Sequence, residues 1–378
     1  MSKFYCAAPW RGLHITPNSD VKICCAGEPK MLGNLNTQSI ADILNGPKLK
    51  EIRQSIKQGI PHKYCDGCLQ AERFGLGQRR WHNDKNPGFD PGVADVNAEH
   101  LPAVVDIRWN TTCNLSCNYC DVHASSKWAD IKKMSVVSGT RKYYNDVCDY
   151  LKQHQEHIRD VALVGGEPLL LPENIRLLDD IPNDCPIMLI TNLSIDLENN
   201  KIFKKLLNKS KVTWNVSFEN LGTKFEYVRY GANWKTLEKN INILKSLSKF
   251  NHTVYVHAVY SIYNATCLVE LFEWSKNLKL EINLQGLYFP PHMNPLFHNE
   301  SVRKLAMAQL DQVLTRSDLT EPEQIFLKRT RANYNEPQEQ NLSKEFLEYT
   351  NKLETKYHPD QYGQFAKLWP EIHKELNI

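Results

Sequence analysis

From Val104 onward the chain alternates short β-rich runs with amphipathic stretches, the pattern of a parallel sheet covered by helices. Six strands are expected, at Val104 to Asn110, Val161 to Gly165, Ile187 to Asn192, Val212 to Phe218, Val254 to Ser261 and Leu280 to Leu287. Between the first two, Tyr144, Val147, Cys148 and Leu151 recur at i, i+3, i+4 and i+7, which predicts a helix with Cys148 in the core. Further crossover helices are expected at Lys201 to Asn208, Trp234 to Phe250 and Ala265 to Asn277. Ahead of the strands, the turn residues Pro17 to Asp20 predict a hairpin, and Ser39 to Lys57 a helix. Beyond the sixth strand the chain reads as helical to its end, with breaks near Glu321 and Pro337, and is expected to pack on the sheet or close its mouth.

The parity within the strands points to a lumen. Val105, Ile107 and Trp109 alternate with Asp106, Arg108 and Asn110, and Val212, Trp214 and Val216 alternate with Thr213, Asn215 and Ser217. Val254, Val256 and Ala258 alternate with Tyr255, His257 and Val259, and Ile282 and Leu284 with Glu281, Asn283 and Gln285. An apolar set facing helices and a polar set facing inward describe a barrel with a functional interior. In such parallel barrels chemistry belongs at the C-terminal strand ends.

Composition narrows the picture only slightly. At 378 residues the chain is long enough for a large domain and a smaller one, and its net charge of +3 argues for neither nucleic acid nor membrane. Its eleven cysteines, an odd number, follow an N-terminus without a long apolar run, and no stretch is apolar enough to span a bilayer. These features predict a soluble protein of a reducing cytoplasm whose cysteines are metal ligands. Cys185 and Cys267 are expected to be buried core thiols.

The chemistry centres on CNLSCNYC, where Cys113, Cys117 and Cys120 follow a C-x3-C-x2-C spacing directly after the first strand. Three thiolates on so short a loop can hold three irons of a four-iron cluster and leave the fourth open. Zinc is the alternative, with Asp121 or His123 as the nearby fourth ligand. The run resembles the signature of the radical SAM superfamily, with Tyr119 as the aromatic residue before the last Cys. That resemblance implies a partial (β/α)6 barrel, here an α/β fold with a small N-terminal Cys-rich domain and a helical C-terminal region. It further implies S-adenosylmethionine (SAM) and a [4Fe–4S] cluster at Cys113, Cys117 and Cys120, reductive cleavage of SAM to a 5′-deoxyadenosyl radical, and an electron donor as partner.

Gly165-Gly166-Glu167-Pro168 resembles the superfamily's GGEP motif, which binds the methionyl amino group. Two glycines allow close backbone approach, and a carboxylate or backbone acceptor meets the ammonium. Ser217 and Glu219 match the position of ribose contacts, and Asn192 lies on the same rim. With Tyr119 these make the cofactor-binding set that the resemblance implies.

A second constellation precedes the barrel: Cys6, Cys24 and Cys25 after the hairpin, and Cys65-x2-Cys68. Its order resembles the twitch and SPASM auxiliary-cluster modules, which implies an Fe–S cluster at Cys6, Cys24, Cys65 and Cys68. The module usually follows the barrel, and Ser19 stands where a hairpin glycine is expected. Domain limits are expected at 1–75 for the auxiliary module, 76–103 for a linker, 104–290 for the barrel and 291–378 for the helical tail.

Catalytic candidates are Cys25, beside the auxiliary ligands, and Tyr288 and His292 just beyond the sixth strand. The basic and aromatic run Gly77 to His82 reads either as a grip for phosphate or carboxylate or as a solvated linker, and the basic residues of Lys201 to Lys211 and Lys328 to Arg331 as solvated. Auxiliary clusters in this superfamily commonly accompany modification of peptide or protein side chains, so such a substrate is expected. A small-metabolite dehydrogenase or mutase is one alternative, and a zinc-stabilised nucleic-acid-binding protein is another of a different class.

Overall fold

The computed structural model describes residues 5–25, 31–73, 82–136, 141–247, 251–287, 289–336 and 338–376. Nine strands form one sheet in the order β3-β2-β1-β4-β5-β6-β7-β8-β9. They are β1 (Gly12–Ile15), β2 (Asp20–Lys22), β3 (Gly33–Asn34), β4 (Val104–Ile107), β5 (Asp160–Leu163), β6 (Ile187–Thr191), β7 (Val212–Ser217), β8 (His252–Tyr260) and β9 (Glu281–Gly286). From β4 to β9 the pairing is parallel, the α/β barrel sheet expected from the alternation of elements. Helices Arg141–Gln153, Glu173–Asp180, Lys201–Leu206, Trp234–Ser246 and Leu268–Asn277 make the crossovers.

The N-terminal hairpin is part of the same sheet. β1 pairs antiparallel with β2 and parallel with β4, with His14 opposite Asp106. Ser19 closes this hairpin at φ 67, the left-handed conformation that favours glycine, and is fully buried there. Its N–H donates to the Thr16 carbonyl at 2.9 Å and its carbonyl accepts from Leu35 at 2.9 Å, so the strained turn is held from both sides.

The alternation sorts as the strands require. Val105, Ile107, Val161, Leu163, Leu189, Trp214, Val216 and Val256 are all buried in one apolar core, each worth roughly 1.5–3 kcal/mol. Register places Asn215 beside Tyr255 and Glu281, and Ser217 beside His257 and Asn283, on one face. Asp106, Asn215, Ser217 and His257 are buried along this inward face, whereas Glu281, Asn283 and Gln285 on β9 are exposed. The barrel is therefore open beside its last strand.

Every strand differs from expectation at one end or both, and two of the shifted boundaries have a visible cause. β4 stops at Ile107 because Asn110 turns the chain, its Oδ1 accepting from Thr112 N at 2.8 Å. β5 begins at Asp160, a buried carboxylate paired with Lys85. Cys148, Cys185 and Cys267 are buried, as expected for core thiols. Within the basic run, Lys209 is buried rather than solvated, its Nζ donating to the Ile181 carbonyl at 2.8 Å.

The C-terminal helices build a second core. Val302, Phe346, Phe365, Trp369 and Ile372 pack with Tyr227, Tyr263 and Met293, and Tyr119 of the cysteine loop lies against this cluster. Glu323 ties helix Glu321–Asn333 to the edge of the sheet, pairing with Lys276 at 2.7 Å and accepting from Ile282 N at 2.8 Å. Among the described residues no helix is long and apolar enough to cross a membrane.

Candidate functional site

The cysteine loop leaves the C-terminal end of β4 and is fixed along its length. Ser116 N donates to Tyr230 O at 3.0 Å, Asn118 N to Val228 O at 2.8 Å, and Ser126 N to Thr111 O at 2.7 Å. Ser125 caps helix Ser126–Lys132 and donates to Leu115 O at 2.6 Å, while Trp128 Nε1 reaches Cys117 O at 2.9 Å. A loop so restrained presents its side chains in a set arrangement before any metal arrives.

Cys117 is buried, while Cys113 and Cys120 are half-exposed. A hydrogen bond donated to Cys120, together with burial, pushes the Cys117 thiol well above its ordinary range, and burial pushes Cys113 up to about 12. Among the described residues no three His, Cys, Asp or Glu side chains converge closely enough to hold a metal ion. The donor set nonetheless suits a cluster: Cys117 hydrogen-bonds Cys120, Cys113 lies near Cys117, and all three thiols stand on one short loop.

The GGEP turn docks directly on this loop. Glu167 N donates to Thr112 O at 2.8 Å, and a Cβ on Gly166 would stand 2.2 Å from that same oxygen. Gly165 adopts φ 132 over the Asn110 carbonyl. The two glycines thus admit the cluster loop itself, a packing role that the motif alone did not reveal. The Glu167 carboxylate is fully buried and turned inward, accepting from Leu169 N at 3.1 Å, Thr191 Oγ1 at 2.7 Å and Asn192 N at 2.7 Å. Burial pushes this carboxyl up to about 7 against the pull of those bonds. Its side chain locks the turn after β5 to the end of β6. Pro168 follows, buried at the start of a short 3-10 turn.

Asn192 bridges to the loop, its Nδ2 donating to Asn114 Oδ1 at 3.0 Å and to Cys113 Sγ at 3.7 Å. Ser217 ends β7 on the same rim. Glu219 makes a buried two-point pair with Arg229, at 2.9 Å to Nε and 2.6 Å to Nη2. Both oxygens of the carboxylate expected to meet a ribose accept from this guanidinium. Burial alone would lower Arg229, but Glu219, Tyr119 and Cys117 hold it well above its ordinary value. The guanidinium lies 5.6 Å from the centroid of the Tyr119 ring, and the Tyr119 hydroxyl is buried without a hydrogen-bond partner. Nothing in the sequence marked Arg229, which stands at no recognisable spacing from Glu219 or the cysteines.

The helical tail grips the outer side of the loop. Tyr349 Oη donates to Asn118 O at 2.6 Å, His358 Nε2 lies 3.2 Å from Ser116 Oγ, and the His358 ring stacks on Tyr230 at 3.8 Å. His292 packs against Tyr349 at 4.8 Å, half-buried, and burial lowers its pKa. Tyr288 and residues 77–81 lie outside the described residues.

Two of the N-terminal cysteine-bearing segments are tied to each other. Cys6, Cys24 and Cys65 adjoin one apolar core, and Tyr64 Oη accepts from Ile23 N at 3.1 Å, joining the two cysteine-bearing segments. Cys25 sits where it feels Asp106, Arg108 and Cys68, and burial first and Asp106 second push its thiol up to about 11. Asp106 itself, on the inward face of β4, is paired with His14, whose Nδ1 stands 3.1 Å from Asp106 Oδ2.

The sequence profile of the radical SAM superfamily matches residues 107–275, and that of the SPASM iron–sulfur cluster-binding domain matches residues 6–69. The chain is a radical SAM enzyme. As such it takes SAM and a [4Fe–4S] cluster as cofactors, with auxiliary Fe–S binding in its SPASM segment. The nucleic-acid-binding alternative, with zinc at both cysteine sets, gives way to these matches. The enzyme is 28% identical to 7-carboxy-7-deazaguanine synthase of Clostridium acetobutylicum over 198 residues, 48% of this chain and 85% of that protein. Among solved structures it is similar to native anSMEcpe with bound AdoMet, at TM-score 0.42 and 15% identity over 56% of this chain. It is also similar to SuiB of Streptococcus suis bound to S-adenosylmethionine, at TM-score 0.42 and 15% identity over 74% of this chain. The chain spans 60% and 61% of those two structures respectively.

Proposed function

We propose that the enzyme holds its radical-generating cluster on Cys113, Cys117 and Cys120 and modifies a peptide or protein side chain admitted beside β9. When bound, the reduced cluster and SAM supply a 5′-deoxyadenosyl radical that takes hydrogen from the substrate. The observation that carries this reading is the convergence of the cysteine loop, the Gly165-to-Pro168 turn and Asn192 at one end of the sheet. Backbone acceptors of the turn receive the methionyl ammonium. Asn192 fixes the loop through Asn114 and Cys113, and Tyr119 and Ser217 line the approach to the adenosyl end. The Glu219–Arg229 pair sets the charge beneath Tyr119.

Cys6, Cys24, Cys65 and Cys68 hold the auxiliary cluster in this proposal. Cys25, within electrostatic reach of Asp106 and Arg108, returns a hydrogen atom in this proposal, with His292 and Tyr288 as further candidates for proton or hydrogen transfer. The exposed row Glu281, Asn283 and Gln285 supplies polar partners for an extended chain. The small-metabolite alternative is supported by the sequence likeness to 7-carboxy-7-deazaguanine synthase.

The test is anaerobic reconstitution of wild type and of a Cys113→Ala/Cys117→Ala/Cys120→Ala variant, with iron, sulfide and 5′-deoxyadenosine measured under dithionite. About eight irons falling to about four, with 5′-deoxyadenosine formed only by wild type, supports the proposal. Zinc without iron in both proteins overturns it.

A further inference from the structure

The opposite end of the sheet carries a cavity of about 410 Å³ that the radical chemistry does not use, bounded by Arg11, Lys85, Phe89, Ala103, His157 and Arg159 together with residues 86–88. Arg11 immediately precedes β1, Ala103 precedes β4 and Arg159 precedes β5. The cysteine loop leaves the other end of β4, separated from the cavity by about 13 Å of strand.

Four of the bounding side chains are basic and none is a carboxylate. Lys85 is ion-paired with Asp160, and His157 Nε2 lies 3.1 Å from Glu156. The two arginines have no such partner: among the described residues neither Arg11 nor Arg159 forms an ion pair. Arg159 Nη1 is anchored instead by the carbonyls of Glu156 at 2.6 Å and Ile158 at 3.3 Å, and the Arg11 guanidinium lies 5.3 Å from the Phe89 ring centroid. Both are thus held in place while their charge is unanswered. Burial lowers the Arg11 pKa, and the one neighbouring charge that shifts it further is the like charge of Arg159.

We propose that this cavity binds the phosphoryl group of a small molecule between Arg11 and Arg159. Its volume falls within the range of small-molecule sites. Two guanidinium forks arriving from different segments suit a tetrahedral oxyanion better than a single planar carboxylate, which one arginine satisfies alone. Because Arg11 belongs to the N-terminal segment, Lys85 to the connecting segment and Arg159 to the barrel, occupancy ties the three together and stabilises the docking of the auxiliary module.

The test is calorimetric titration of the reconstituted enzyme with pyrophosphate at fixed ionic strength, alongside citrate as a carboxylate anion of similar charge. Wild type is expected to bind pyrophosphate and to melt at higher temperature in its presence. The Arg11→Gln/Arg159→Gln variant is expected to bind at least tenfold more weakly. Arg159→Gln alone, a change at an exposed side chain that leaves the fold intact, is expected to weaken binding about fivefold. The triple cysteine variant keeps wild-type pyrophosphate affinity, so this site and the radical function stand or fall separately. No binding by wild type, undiminished binding by the Arg159→Gln variant, or citrate binding as tightly as pyrophosphate each overturns the proposal.

Discussion

Removing Arg229 tests whether the buried pair beneath the cysteine loop organises the site. The Glu219 side chain is 1% exposed and Arg229 7%. After Arg229→Leu, the carboxylate keeps only Val259 N, at 3.4 Å. A buried charge stripped of its partner costs about 3–5 kcal/mol, whereas replacing both partners with apolar residues is often neutral. The Arg229→Leu/Glu219→Leu double variant loses mainly the contact between Arg229 and Tyr119, worth about 1 kcal/mol. The two single losses therefore sum to roughly 6–10 kcal/mol against about 1 for the double, a coupling on the order of 5 kcal/mol or more. With a urea slope near 3 kcal/mol per molar, a loss of about 4 kcal/mol lowers the midpoint by about 1.3 M. Urea titration of the reconstituted proteins, followed by tryptophan fluorescence with iron content measured in parallel, reads both stability and loop order. A midpoint shift under about 0.3 M for Arg229→Leu, or a double variant as unstable as the worse single, refutes the reasoning.

Gly166→Ala forces a Cβ to within 2.2 Å of Thr112 O, so iron bound by the cysteine loop is expected to fall by at least half while the N-terminal iron stays; unchanged total iron counts against the packing role. Tyr349→Phe removes the 2.6 Å bond to Asn118 O, costing about 1 kcal/mol, and should speed iron loss to a chelator relative to wild type. Burial would raise the Asp106 pKa, but His14 and Arg108 outweigh it and hold the group at about 2. Because this folded value lies below the ordinary one, the contribution of about 2 kcal/mol is present above pH 4 and lost as pH falls through 2. Asp106→Asn should flatten the acid limb of stability against pH, and parallel limbs would contradict that.

The strands were legible because inward and outward positions differ in polarity, which the register then paired across neighbours. The cysteine loop was legible because its chemistry is local. What escaped was long-range: Tyr349 meets Asn118 across 231 positions, and Arg229 meets Glu219 without any helical or strand period linking them. At Glu167 the sequence left open whether the carboxylate or a backbone acceptor of the turn meets a ligand. A carboxylate in a ligand motif looks available, yet three donors converging from Leu169, Thr191 and Asn192 turn it inward. Ser19 stands where a hairpin glycine was expected; the position is left-handed, and two backbone hydrogen bonds hold the serine there despite its Cβ.

The parallel ladder between β1 and β4 pairs residue 12 with residue 104, and this sets an order of manufacture. During translation, Cys6, Cys24, Cys65 and Cys68 are made before the strand that completes their sheet. At about 5–20 residues per second the interval lasts roughly 5–20 s. Through that window β1 is paired with β2 alone and its other side is uncovered. The sheet that carries the N-terminal cysteine segment is therefore completed only once the first barrel strand has been made.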